Sequence, residues 1–298
     1  MHNNAEQSRT TGFQLFEHPW AALVVLVVVW VLLLLLLIAT IYQVLALPRD
    51  SGAAGLMLMI LSHSLMLFVI VPYVLRLPNG RRSLGRYLAD IRLSRVRPLG
   101  RLLLLAISCY LILAFCQAAG SLVYRLSLGL PITWEFVWLR VLDVSRDLPP
   151  RSTALLVSVP AVFEEVTWRG VVLRLFLRRH SAWKAIVISA IAFGCVHFLN
   201  FLSGREMAWV AGQVAWASIY GLFYGYLVVR TGSLLPAMIV HYLGNAFMGS
   251  LTGYVQELAS PEIQAVYGVV FWFGLIPTTL LILWVRLFAA KSPFPRRD

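Results

Sequence analysis

The chain alternates long apolar runs with short polar segments in which arginine and lysine are concentrated. The runs are continuous rather than alternating, and they reach the roughly 20 residues that a helix needs to cross a bilayer. A spanning segment has to satisfy its own backbone hydrogen bonds, so this pattern predicts an all-α, polytopic membrane protein of about eight transmembrane helices. The predicted spans are Trp20–Tyr42, Ala54–Leu75, Leu102–Tyr124, Ser152–Leu177, Ala185–Leu202, Ala208–Val229, Leu234–Leu251 and Val266–Phe288.

Composition and charge agree with a membrane protein. The chain is 60% hydrophobic and 13% charged, whereas soluble domains have about 25% charged residues. The net charge of +12 would also suit a nucleic-acid-binding protein, but the basic residues cluster in short segments between spans, as in cytoplasmic loops. We therefore predict no nucleic-acid partner. The same bias predicts a multi-pass protein of the cell membrane with both termini in the cytoplasm.

Two polar segments between spans differ from simple connections. Arg76–Arg101 holds eight arginines and one acid, Asp90, which predicts a basic cytoplasmic loop that can also contact anionic lipids. Arg125–Pro150 carries aromatic residues among scattered charges and is too polar to span. It is predicted to lie as an amphipathic element at the opposite interface.

Small and aromatic residues of the sixth predicted span are interpreted as packing groups. Gly221 and Gly225 form a small-xxx-small face, which favours close approach of a neighbouring helix. Trp209 and Trp216 are interpreted as interface or packing aromatics.

Three charged residues lie in the middle of the fourth predicted span, Glu164, Glu165 and Arg169. One charge at the centre of a spanning helix costs about 3 kcal/mol on insertion scales, so such groups mark functional sites. Glu165 and Arg169 are one helical turn apart and can form an ion pair. That pair leaves Glu164 as a carboxylate without a partner in its own helix.

Other spans carry polar groups that could meet these glutamates. His197 lies in the fifth span, one turn after Phe193, and His241 and Asn245 share a face of the seventh. At about 1.5 Å per residue, their distances from the span ends are compatible with one layer inside the bilayer. We therefore expect them to meet the glutamates in a hydrated pocket. His63 of the second span is interpreted instead as a buried structural histidine bonded to a neighbouring helix.

These residue types are suited to amide hydrolysis. A carboxylate can take a proton from water, an imidazole can position that water or protonate a leaving amine, and an amide with a second imidazole can donate to an oxyanion. No serine or cysteine lies in a recognised nucleophile motif, which favours direct attack by water. Two other interpretations stay open: a proton relay in a transporter, and a zinc site, because two histidines and a carboxylate resemble a zinc ligand set. The HExxH pattern is absent and asparagine is a poor zinc ligand, so we predict no metal and no other cofactor.

The same residues form three motifs in a fixed order. EExxxR occurs at Glu164–Arg169, FxxxH at Phe193–His197 and HxxxN at His241–Asn245. In these motifs the chain resembles the CAAX protease and bacteriocin-processing family of intramembrane glutamic endopeptidases, which includes the Ras-converting CAAX endopeptidases. The resemblance covers about Ser152 to Phe247.

The resemblance implies eight transmembrane helices around an intramembrane cavity and a role for each motif residue. Glu164 and His197 would activate water, and His241 and Asn245 would stabilise the oxyanion. Supporting roles would fall to Glu165, Arg169 and Phe193.

The resemblance also implies a substrate class, a membrane-associated or C-terminally processed protein or peptide in a lipid bilayer. On this basis we divide the chain into an N-terminal three-span region, 1–150, and a catalytic helical core, 151–298. Some members of the family are membrane scaffolds or are linked to bacteriocin self-immunity, so a function by binding alone stays open.

Overall fold

The computed structural model describes residues 15–48, 52–74, 83–137, 159–203, 206–247 and 274–291. These residues form helices and include no strand, which confirms the all-α prediction. Four helical stretches in this part of the chain are long and apolar enough to cross a bilayer: Pro19–Val44, Ala54–Tyr73, Leu99–Ser127 and Ala182–Phe201. The chain is therefore an integral membrane protein, and the count of eight spans stays a prediction.

The helices are numbered here in chain order with their observed bounds. They are α1 (Pro19–Ala39, continued as a π-helix over Thr40–Val44), α2 (Gly52–Leu65, continued as a π-helix over Met66–Val74), α3 (Leu84–Asp90), α4 (Leu99–Ser127), α5 (Val159–Glu165, then a π-helix over Val166–Val172, then Leu173–Leu177), α6 (Ala182–Val196, continued as a 3-10 helix over His197–Ser203), α7 (Met207–Thr231), α8 (Leu235–Phe247) and α9 (Ile276–Lys291). All of them except α3 coincide with predicted spans. Parts of the predicted spans lie outside the described residues, namely 75, 152–158, 248–251 and 266–273.

The basic segment Arg76–Arg101 was predicted as a loop, and where it is described it contains a helix, α3. Tyr87 of this helix is buried, and its hydroxyl donates to the Leu67 carbonyl at 2.6 Å. Burial raises the pKa of Tyr87, so the phenol keeps its proton and remains a donor. Arg92 donates to the Val228 carbonyl at 3.0 Å. The segment therefore contacts both α2 and α7. Its helix has only seven residues, which is too short for a clear periodic pattern in the sequence.

The segment Arg125–Pro150 is described only as far as residue 137. A single helical turn, Trp134–Phe136, is capped by Thr133, whose hydroxyl accepts from the Phe136 amide at 3.2 Å. The guanidinium of Arg125 lies 4.3 Å from the centre of the Phe136 ring. Residues 138–150 lie outside the described part, and the placement of this segment at the interface stays a prediction.

The helices around α4 pack against one another in the middle of the protein. This helix packs against α8 and α9, while α5 packs against α8 and α7 packs against α6. One cluster of buried apolar side chains runs from Phe16 to Ala289 and draws on both sides of residue 150. The division into 1–150 and 151–298 stays a prediction. The buried core contains residues from both sides of the boundary at residue 150.

Glycines bring α6 and α7 close together. A Cβ atom added at Gly221 would lie 2.8 Å from the Cα of Ala190, and one added at Gly225 would lie 3.0 Å from a methyl carbon of Ile186. This confirms the predicted small-residue face of α7. Because α6 and α7 both carry lining residues of the cavity described below, their spacing fixes its width.

Replacing Gly221 with alanine is expected to destabilise the protein by about 1–2 kcal/mol. The added methyl group meets backbone rather than a flexible side chain, and overpacking costs about 1–3 kcal/mol, of which the better helix propensity of alanine offsets up to about 1 kcal/mol. SDS titration of the purified protein in mixed micelles measures the change in unfolding free energy. Gly55→Ala is the matched control, because a Cβ there has nothing within 4 Å. Equal unfolding curves for the two variants would show that α6 and α7 are not in close contact.

Candidate active site

Side chains of five helices, α4 to α8, line a cavity of about 450 Å³. Among its lining residues are Glu164 of α5, His197 from the end of α6, and His241 and Asn245 of α8. The fold therefore brings to one cavity the four side chains that the sequence predicts to meet. A water molecule occupies about 30 Å³ in the liquid, so this space can hold water together with part of a larger ligand.

The consecutive glutamates of α5 have different surroundings. Glu165 and Arg169 are both fully buried and pair at 3.0 Å between Oε1 and Nη1, as the sequence predicts. The side chain of Glu164 is 24% exposed and lines the cavity. The π-helical part of α5, Val166–Val172, begins directly after the glutamates, and such widened turns occur frequently at functional sites.

His241 bridges the two glutamates. Its Nδ1 lies 2.9 Å from Oε1 of Glu165, and its Nε2 lies 3.7 Å from Oε2 of Glu164. A carboxylate only accepts hydrogen bonds, so Nδ1 carries a hydrogen and donates a hydrogen bond to Glu165. The separation from Glu164 is longer than a hydrogen bond, so Nε2 faces this partly exposed carboxylate without bonding to it. The contact with Glu165 was not predicted, because it joins helices that are 76 positions apart in the sequence.

Aromatic rings surround the buried cation. The guanidinium carbon of Arg169 lies 4.3 Å from the centre of the Phe193 ring and 5.3 Å from that of Tyr224. Two of its nitrogens, Nε and Nη2, have no hydrogen-bond partner among the described residues, so the ring faces supply part of the stabilisation. Tyr224 also stacks on the imidazole of His241 at 5.0 Å. The sequence analysis missed Tyr224, which lies between the two glycines that it interpreted only as a packing face.

His197 stands where α6 changes from an α-helix to a 3-10 helix. Its Nδ1 donates to the Phe193 carbonyl at 3.0 Å, which leaves the lone pair of the neutral ring on Nε2. The Phe193 ring packs edge to face against it at 5.1 Å. No hydrogen bond or ion pair joins His197 to Glu164 in the described part of the chain. Both residues line the cavity.

Asn245 lies one helical turn beyond His241 on α8, and both line the cavity, as their spacing predicts. His63 of α2 lies beside the site. It is buried, its Nδ1 bonds to the Met59 carbonyl of its own helix at 2.9 Å, and its ring is 5.4 Å from that of Phe163. The interpretation of His63 as a buried histidine with a hydrogen bond is confirmed. The predicted partner on a neighbouring helix is wrong, because the bond goes to the Met59 carbonyl one turn earlier in the same helix.

Further polar side chains line the cavity that the sequence analysis did not single out. They are Gln117 of α4 and Gln213 and Tyr220 of α7, together with Trp216, which it interpreted as a packing or interface aromatic. The sequence held a signal for Gln117, because a side-chain amide within an apolar span needs a hydrogen-bond partner. Its connection to the glutamates becomes visible only when α4 is packed against α8.

The donor atoms do not form a recognisable metal site. Among residues 15–48, 52–74, 83–137, 159–203, 206–247 and 274–291, no group of three or more His, Cys, Asp or Glu side chains is arranged to hold a metal ion. Both histidines use Nδ1 within the protein and have Nε2 available. The prediction that no cofactor is needed is tested by the chelator experiment below.

Comparison with known proteins gives a family for the part of the chain that carries the site. No curated protein and no solved structure matches the chain significantly. The family model of the Rce1-like type II CAAX prenyl endopeptidases matches residues 148–247, a segment that contains all seven residues of the three motifs. Residues 148–247 are therefore similar to the Rce1-like type II CAAX prenyl endopeptidases, which are a protease family.

Proposed function

We propose that this protein is an intramembrane glutamic-type endopeptidase. It hydrolyses a peptide bond in a membrane-associated or C-terminally processed protein, in the cell membrane and with both termini in the cytoplasm. The observation that carries the proposal is the lining of one cavity by Glu164, His197, His241 and Asn245. The cavity volume of about 450 Å³ lies within the range of about 300–1,000 Å³ that is usual for ligand sites.

The geometry supports a division of labour in which water is the nucleophile. Glu164, the partly exposed member of the glutamate pair, takes a proton from a water molecule that it shares with Nε2 of His197. The water oxygen attacks the carbonyl carbon, and the carbonyl oxygen becomes an oxyanion. When the carbon–nitrogen bond breaks, Glu164 passes the proton that it took from water to the leaving amine.

The oxyanion is stabilised from α8. Asn245 donates through its side-chain amide, and His241 donates through Nε2. Because Nδ1 of His241 is already donating to Glu165, the ring must carry both protons to donate from Nε2 as well. The carboxylates of Glu165 and Glu164 lie 2.9 Å and 3.7 Å from the two ring nitrogens. Arg169 in turn holds Glu165, so Arg169 and Glu165 act by positioning His241.

A cleavage assay tests this function directly. The purified full-length chain in lipid nanodiscs is incubated with a farnesylated peptide that ends in a CAAX box, and with the same peptide lacking the farnesyl group. We expect release of a C-terminal fragment from at least one of them, detected by mass spectrometry. Activity should survive 1,10-phenanthroline, since no step requires a metal. Inhibition by the chelator that zinc restores would favour the metalloprotease interpretation.

A second measurement covers natural substrates. Membrane-protein C-termini are compared by mass spectrometry in cells with the chain, without it, and with Glu164→Gln. New or missing termini that depend on Glu164 support the proposal. A cellular phenotype that the Glu164→Gln chain restores in full, with unchanged termini, would favour a scaffold or self-immunity function instead.

A further inference from the structure

The wall of the cavity formed by α4 and α7 carries three polar side chains that this mechanism does not use. They are Gln117 of α4 and Trp216 and Tyr220 of α7, and we call them the polar wall. Gln117 is 2% exposed and Tyr220 is 6% exposed. These are groups of the protein interior that border the cavity.

The polar wall contains buried hydrogen-bonding atoms that lack protein partners. Oε1 of Gln117, Nε1 of Trp216 and the hydroxyl of Tyr220 have no hydrogen-bond partner among the described residues. The Tyr220 hydroxyl is close enough to Trp216 and Gln117 for weak polar contacts, but these contacts fall outside the geometry of a full hydrogen bond. Gln213 on the same side differs, because its Oε1 accepts from Asn200 at 2.7 Å. Each buried polar atom without a partner costs about 1–3 kcal/mol, so three in one wall indicate a ligand that uses them.

An unwound polypeptide has the complementary chemistry. A peptide segment that is extended in the active site has N–H and C=O groups without helical hydrogen bonds. Each freed N–H and C=O group then costs several kcal/mol unless the enzyme satisfies it. The indole N–H of Trp216 can donate to a carbonyl, Oε1 of Gln117 can accept from an N–H, and the Tyr220 hydroxyl can do either.

We propose that the polar wall is a subsite for the main chain of an unwound polypeptide, next to the peptide bond that is hydrolysed. The inference rests on the proposed function and deepens it, because it names backbone amide groups of an extended segment as what is recognised. α4 precedes the family match at 148–247. Gln117 thus adds substrate recognition from outside the matched segment.

Two conservative variants test the subsite by steady-state kinetics with the farnesylated peptide. Gln117→Met and Trp216→Phe keep most of the volume; the first removes Oε1 together with Nε2, and the second removes Nε1. Each is expected to raise KM about tenfold, the loss of one hydrogen bond of about 1.4 kcal/mol to the substrate, and to change kcat by less than about twofold. Both variants should be as stable as the wild type or more stable, because a buried atom without a partner has been removed.

Ser121→Ala is the matched control. Ser121 lies one turn beyond Gln117 on α4 and is equally buried, and its hydroxyl also has no hydrogen-bond partner in the described ranges. It is not among the lining residues of the cavity. Its KM should equal that of the wild type, and a rise matching that of Gln117→Met would show that the effect is structural.

Backbone esters identify the group that is recognised. A set of farnesylated peptides, each with one amide replaced by an ester, loses one N–H at a time. One ester next to the cleaved bond should raise KM of the wild type about tenfold and have no further effect on Gln117→Met, because Oε1 has no N–H to accept from. Independent, additive losses would overturn the inference.

Binding to a chain that cannot cleave separates this inference from the proposed function. The Kd of the farnesylated peptide is measured with Glu164→Gln, with and without Gln117→Met. If the wild type cleaves the peptide but Gln117→Met changes neither KM nor Kd, the polar wall holds only internal water and the inference is overturned. If the peptide binds in a Gln117-dependent way but is never cleaved, the protease proposal fails and the subsite stands. Absence of binding to either chain overturns the subsite.

Discussion

Glu164→Gln is expected to lower kcat for the farnesylated peptide by about 10²–10⁴-fold, the usual contribution of a general base. The substitution keeps the size of the side chain, replaces one acceptor oxygen with an NH2 donor, and removes the negative charge and the ability to take a proton. KM should change little, because the neighbouring lining of the cavity is unaltered. Initial rates of the purified protein in nanodiscs, measured over a range of peptide concentrations, give both constants.

The matched control for this variant is the same substitution at another glutamate. Glu206 precedes α7, is exposed, and makes no capping hydrogen bond with its side chain. Glu206→Gln should keep the rate of the wild type. If Glu164→Gln cleaved the peptide at the wild-type rate, water activation by this carboxylate would be ruled out, whatever the geometry of the cavity.

The all-α membrane fold and the motif residues could be predicted because both follow from large, local energies. A continuous apolar run in lipid can satisfy its backbone hydrogen bonds within one segment only by forming a helix. A charge at the centre of such a run costs about 3 kcal/mol, so Glu164, Glu165 and Arg169 were conspicuous. The pairing of Glu165 with Arg169 followed from a spacing of four, and so did the shared face of His241 and Asn245.

What could not be predicted depends on how separate helices pack. Spacing rules apply within one helix, and no local rule brings Nδ1 of His241 to Glu165. The same holds for Gln117, which reaches the cavity only because α4 packs against α8, and for Tyr224, which stacks on His241. The π-helical part of α5 and the helix inside the basic segment carry no periodic signal long enough to identify them.

Arg169→Met is expected to destabilise the protein by about 3–5 kcal/mol, the usual effect of leaving a buried charge without its partner. Glu165 is fully buried and would keep only His241 as a partner, while the cation between the rings of Phe193 and Tyr224 would be lost. SDS titration of the purified protein in mixed micelles measures the loss of unfolding free energy. Lys184→Met, at an exposed cation near the start of α6, should stay within about 0.5 kcal/mol of the wild type.

The double variant Glu165→Leu with Arg169→Met separates folding from catalysis. Replacing both members of a buried ion pair with apolar groups of similar size is often neutral or stabilising, so most of the stability should return. Activity should not return, because His241 has lost the carboxylate that orients its Nδ1. We expect kcat about 100-fold or more below the wild type, in line with the role of orienting carboxylates in other hydrolases. A double variant that is both stable and fully active would mean that Glu165 and Arg169 serve the fold alone, and that His241 does not depend on them.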